Sequence, residues 1–148
     1  MLIVGIGSIL MGDDGAGVEV IDRLEQIRLP ENVELFKAGL DSFGILGKLE
    51  GRKKVIFVDA LRGGETGKVY TLSFEEIEKF EFIYSLHDFT IEHLIKTGQE
   101  IYSEFPGDIQ IIGIGISDIE GGIGLSREVE KGVDKAVDVI LKEVRECV

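Results

Sequence analysis

Short apolar runs alternate along the chain with stretches whose apolar residues recur every three or four positions. Leu2–Ile6 is an unbroken apolar run, which predicts a strand covered on both faces. Val18, Ile21, Leu24 and Ile27 follow at threefold spacing with Glu19, Asp22, Arg23 and Glu25 between them. That is an amphipathic helix, ended by Pro30. Val33–Ala38 reads as a second strand. Phe43, Leu46 and Leu49 predict a short helix, weakened by Gly44 and Gly47. Lys54–Asp59, with Val55-Ile56-Phe57-Val58 inside it, is a third strand. After the turn Arg62–Gly67, the more polar Val69–Leu72 reads as an edge strand. So short a connection makes it antiparallel, because a parallel return needs a crossover of about a dozen residues. Asp88 N-caps a helix carrying Phe89, Ile91, Leu94 and Ile95. Asp108–Ile116 is a fifth strand. Ser126 then caps a final helix through Val129, Val133, Val137, Ile140, Leu141 and Val144.

Strands alternating with helices predict an α/β fold around a mostly parallel sheet. With 148 residues, no repeat and no linker, the expectation is one domain. The charge narrows the partners: 28 acidic against 16 basic residues leave −12, which disfavours nucleic acid and anionic membrane surfaces. The single cysteine, Cys147, excludes a disulfide framework and a cysteine-rich zinc site. No apolar run is long enough to span a membrane. The N-terminus lacks the basic start and cleavage site of a signal peptide, so a cytoplasmic location is expected. Asn32 is the only asparagine while Glu and Lys are plentiful, a composition that points to a thermophilic source.

In open α/β sheets, functional groups gather beyond the carboxyl ends of the strands. Asp13 and Asp14 follow the first strand, Asp59 ends the third, and His87 precedes the helix beginning near Asp88. The segment Gly5-Ile6-Gly7-Ser8-Ile9-Leu10 invites a dinucleotide reading, but the third glycine of that fingerprint is Leu10 here. Two carboxylates beside a helix start would also repel a pyrophosphate. A plainer role for Asp13 and Asp14 is to cap the helix that follows. Asp59 could bond its own turn, and His87 could be an exposed residue ahead of a helix. His93 lies inside the predicted helix and is read as structural or exposed. Taken together, two carboxylates and an imidazole form an O,O,N set that suits a transition metal with open positions or acid–base work on water.

These segments closely resemble the hydrogenase maturation proteases, the endopeptidases that process the large subunit of nickel–iron hydrogenases. The family's opening pattern, G-x-G-N-x-L-x-x-D-[DE]-G-x-G, corresponds to Gly5 through Gly17. Val58-Asp59-Ala60, Ser85-Leu86-His87 followed by Leu94, Ile112-Gly113-Ile114 and Ile123-Gly124-Leu125-Ser126 match later segments in order. The resemblance implies a three-layer α/β/α fold with a mixed five-stranded sheet of order 2-1-3-5-4 and strand four antiparallel. It also implies metal contacts at Asp14, Asp59 and His87. The task it implies is removal of a C-terminal extension from the large-subunit precursor after nickel insertion, with the substrate's nickel as recognition element and no metal resident in the free enzyme. The expected partner is thus a nickel-loaded precursor, met by a monomer.

Two routes to hydrolysis stay open at this point. The ion could polarise the scissile carbonyl, or a carboxylate could activate water as in an aspartic-type enzyme. Asp14 and Asp59 are assigned as metal anchors with catalytic roles, and Asp13 either caps the helix or helps activate water. A non-enzymatic nickel-binding chaperone on the same fold is the alternative. A nucleotide-binding module is a third reading, opposed by Leu10. The chain departs from the family pattern at Ser8, where asparagine is usual, at Lys37-Ala38-Gly39, where many members carry Asp-Gly-Gly, and at Gly115–Asp118, which lacks a proline.

Overall fold

The computed structural model describes residues 1–77, 91–117 and 121–147. Leu2–Ile6 forms β1, and all five residues are buried, as an unbroken apolar run requires of a central strand. It lies between β2 (Glu34–Gly39) and β3 (Lys54–Arg62), parallel to both. β3 pairs in parallel with β5 (Asp108–Ile116), and β4 (Val69–Ser73) closes the edge antiparallel to β5. The order is β2-β1-β3-β5-β4, the mixed five-stranded arrangement that the family resemblance implies.

Strand alternation divides the core in two. Ile3, Ile56, Val58, Ile112 and Ile114 pack beneath α1 (Ala16–Leu24) and α5 (Arg127–Glu146). Leu2, Val4, Val55, Phe57 and Ile111 face α2 (Ser42–Leu49) and α4 (Ile91–Ile101). Helices therefore cover both faces and make three layers. Among the described residues, no helix is long and apolar enough to cross a membrane.

Four details differ from the sequence reading. α1 stops at Leu24, the last side chain of its face to reach the core. Beyond it the N–H groups of Gln26 and Ile27 bond three residues back, to Arg23 and Leu24, and Ile27 is exposed. α2 buries Ile45 and Leu49 rather than Phe43, which is 78% exposed; the Asp41 carboxylate caps this helix through the Gly44 N–H at 2.8 Å. β3 runs on to Arg62, so Asp59 lies within the strand opposite Gly113 and does not end it. A one-turn α3 (Phe74–Ile77) was not expected, being too short to show a period. The predicted cap Asp88 and the residue Phe89 lie outside the described residues.

Candidate active site

The site grows out of the first connection. At the end of β1 the chain turns at Gly7, with φ +132°, where a Cβ would stand 2.0 Å from the Asp14 backbone oxygen. Only glycine is accommodated there. Gly17 is as constrained by space: a Cβ would lie 2.3 Å from the Val58 oxygen and 2.4 Å from the Ile6 oxygen. α1 thus touches β1 and β3 backbone to backbone. The glycines that mimic a nucleotide fingerprint serve this close approach of loop and helix to the sheet.

The approach pins a single 3₁₀ turn, Gly12–Gly15, beyond the ends of β1 and β3. Asp14 sits in that turn and is 6% exposed; Asp59, on β3, is 4% exposed. They are the only buried charged side chains among the described residues. Each is anchored through one oxygen by a backbone N–H. Ser8 N–H donates to Asp14 Oδ2 at 2.9 Å, and Ala60 N–H donates to Asp59 Oδ1 at 2.8 Å. Asp59 continues the alternation of Val55 and Phe57, so an acid stands where the pattern calls for an apolar residue.

Burial, and then the negative charge of Asp14, push the Asp59 carboxyl well above the usual carboxylate range; the Ala60 N–H opposes this only in part. Asp14 is near enough for its charge to act on Asp59. Both influences favour the protonated form of the Asp59 carboxyl.

Neither acid caps the helix it precedes: neither the 3₁₀ turn nor α1 has a side-chain cap. Asp13 reaches across to the start of α5 instead. Its Oδ1 accepts the Ser126 N–H at 2.6 Å and its Oδ2 accepts the Ser126 hydroxyl at 2.8 Å. Ser126 does not cap α5 with its own side chain; its hydroxyl donates to Asp13 instead. A reciprocal capping box would need Glu or Gln where Val129 stands. A backbone bridge adds to the tie, with Gly12 N–H to the Gly122 oxygen at 2.7 Å and Gly122 N–H to the Leu10 oxygen at 2.9 Å. Asp13→Ala is expected to cost about 1–2 kcal/mol in equilibrium unfolding. Ser126→Ala should cost less, because the bond from the Ser126 N–H survives.

The structure thus brings Asp14 and Asp59 together and turns Asp13 toward Ser126. His87 lies outside the described residues. His93 is on the exposed side of α4. Among the described residues no group of three His, Cys, Asp or Glu could hold a metal ion; the acids brought together there are Asp14 and Asp59. Two of the departures from the family pattern, Ser8 and Lys37, have local accounts. Ser8 meets Asp14 through its backbone N–H, which needs no side-chain amide. Lys37 pairs with Asp22 and Glu25, tying β2 to α1 and the turn after it. Beside Asp13 lies a polar groove of about 390 Å³, lined by Gly12, Thr66, Ser117, Gly122 and Ile123 among others. Sequence reasoning missed it; the cluster Gly121-Gly122-Ile123-Gly124 was its only trace.

Comparison with known proteins agrees with this architecture. The family model described as hydrogenase maturation protease (HycI) matches residues 18–143. A Methanocaldococcus jannaschii protein, named as a candidate hydrogenase maturation protease, is 36% identical over 156 residues, covering 98% of this chain and 96% of its own. The hydrogenase 2 maturation protease of Escherichia coli is 29% identical over 150 residues, covering 99% and 91%. The solved structure of the E. coli hydrogenase maturating endopeptidase HybD superposes with a TM-score of 0.88 at 29% identity, over 99% of this chain and 92% of that one. The family model begins after Asp14, whereas these relatives align over nearly all of the chain, the first motif included. The glycine-packed first turn, the strand order and these matches converge: the chain belongs to the hydrogenase maturation protease family.

Proposed function

We propose that this chain is an endopeptidase that removes the C-terminal extension of a nickel–iron hydrogenase large-subunit precursor after nickel insertion, and that it recognises the nickel carried by the substrate. The observation that carries this reading is the buried pair of Asp14 and Asp59, two acids held against each other. A metal-free precursor brings nothing to offset their repulsion. A nickel-loaded precursor brings the missing cation, which favours ionised Asp59 and draws both carboxylates onto one centre. His87, which the family resemblance implies as third ligand, completes an O,O,N set. The ion is part of the substrate, so its presence reports that metal insertion is finished. Hydrolysis breaks the C–N bond beside the held metal; water supplies the hydroxyl of the new C-terminus and the proton of the leaving amine. We read the chain as a cytoplasmic monomer in this role.

Because Asp59 surrenders its proton to the incoming ion, the isolated protein should bind Ni²⁺ more tightly as pH rises, with proton release. Calorimetry in buffers of different ionisation enthalpy measures both. The same pair could serve a nickel-binding chaperone. Turnover separates the two: a protease in substoichiometric amount converts the whole precursor pool to the shorter product, and a chaperone leaves the precursor mass unchanged.

A further inference from the structure

Most large apolar side chains of a folded chain find cover. Among the described residues seven are exposed, and five of them stand at one end of the sheet: Ile9, Leu10, Leu40, Phe43 and Ile123. Ile9 and Leu10 follow β1, Leu40 and Phe43 follow β2, and Ile123 lies between β5 and α5. This is the end at which Asp14 sits.

Backbone bonds knit the three segments into one rim. Gly7 N–H donates to the Gly39 oxygen at 3.0 Å, next to Leu40, and Gly122 N–H donates to the Leu10 oxygen at 2.9 Å, next to Ile123. Phe43 stands one turn further, held by the Asp41 cap. The rim is also poor in charge. In a chain that is 30% charged, Ser8–Gly12, Leu40–Phe43 and Gly121–Gly124 contain a single charged side chain, Asp41, and its carboxylate is bonded to Gly44 N–H. Exposed apolar side chains gathered at one end of an acidic protein, flanked on one side by the polar groove beside Asp13, mark a contact surface.

We infer that this rim is the docking surface for the folded body of the large-subunit precursor, and that it seats an apolar, uncharged surface surrounding the precursor's metal rather than a basic tail. The inference rests on the proposed function and extends it. The rim lies at the end of the sheet where Asp14 sits and where a substrate-borne cation must enter, so the surface that carries the cation is the surface that meets the rim. Charge attraction has no lever here; apolar burial supplies affinity and keeps bulk solvent from the contact around the acid pair.

The test is processing of nickel-loaded precursor by Leu10→Ser, Phe43→Ser and Ile123→Ser proteins, with Ile101→Ser as a control at an exposed apolar position on α4. The expected result is a rise in KM of about tenfold or more for the rim variants, little dependence on salt, and no change for Ile101→Ser. Thermal unfolding of the variants should match the wild type, since these side chains are exposed. Unchanged KM in all three would overturn the inference, as would strong weakening by salt, which would point to a charged tail as the contact. Loss of a wild-type dimer in the rim variants would overturn it as well, by assigning the rim to a second copy. Should the wild type cleave nothing, the functional reading fails by itself. Direct binding of the nickel-loaded precursor to wild type and variants still reads the rim.

Discussion

An Asp59→Asn protein is expected to leave a nickel-loaded precursor uncut, with a loss of roughly a thousandfold or more, and yet to be more stable than the wild type. Both effects follow from one environment. Asp59 is buried on β3 beside Asp14, and burial and that neighbour raise its proton affinity. In the unfolded chain the same carboxyl ionises near its ordinary value, about 4. Between that value and the raised folded one, the unfolded state has released a proton that the folded state still holds. The stability contributed by Asp59 is therefore fully present below the unfolded value and is lost as pH rises toward the folded one. Asparagine keeps an acceptor for the Ala60 N–H and has nothing to titrate. The Tm advantage of the variant should grow steadily as pH is raised above 4 or so. Tm measured against pH, beside a processing assay, checks both halves. A variant that cleaves normally, or whose Tm tracks the wild type at every pH, contradicts the account of the site.

Gly17→Ala should show a large loss of stability, about 3 kcal/mol or more. The added methyl would meet the Val58 and Ile6 oxygens at 2.3 and 2.4 Å. Both are backbone atoms of central strands, so neither can rotate away. Relief requires α1 to lift from the sheet, and with it the 3₁₀ turn that carries Asp14. Activity should therefore fall along with the urea midpoint. Gly47→Ala in α2 offers the contrast. A Cβ there meets nothing within 4 Å, so the substitution should stabilise by about 0.5–1 kcal/mol through helix propensity and chain entropy. Similar midpoints for the two variants would mean that the first glycines are not packing elements.

What was legible in the sequence divides along physical lines. Strands buried on both faces announce themselves as unbroken apolar runs, and Leu2–Ile6 and Val55–Val58 did so. The antiparallel edge strand followed from connection length alone. The end of β3 was misplaced because Asp59 interrupts an apolar pattern while the ladder with β5 continues to Arg62. The rule broke at a buried acid beside the site, where departures from local consistency are expected. Phe43 fits a helical period yet points outward, because Ile45 and Leu49 fill the space above the sheet; its exposure has a meaning only in the rim. The bonds from Ser126 to Asp13 span 113 positions in sequence, and no local pattern can report such a pair. The glycines were legible as a motif, but their purpose was not. Only the distances from Gly7 and Gly17 to neighbouring backbone distinguish close packing from phosphate binding.

In the proposed reaction Asp14 and Asp59 read a nickel ion brought by the substrate. A decisive experiment incubates a substoichiometric amount of this protein with the precursor of its partner hydrogenase, nickel-loaded in one arm and metal-free in the other, and records intact masses. The account predicts conversion of the loaded precursor to one shorter product and an unchanged mass in the metal-free arm. Equal cleavage of both precursors would contradict it, and so would an unchanged mass in both.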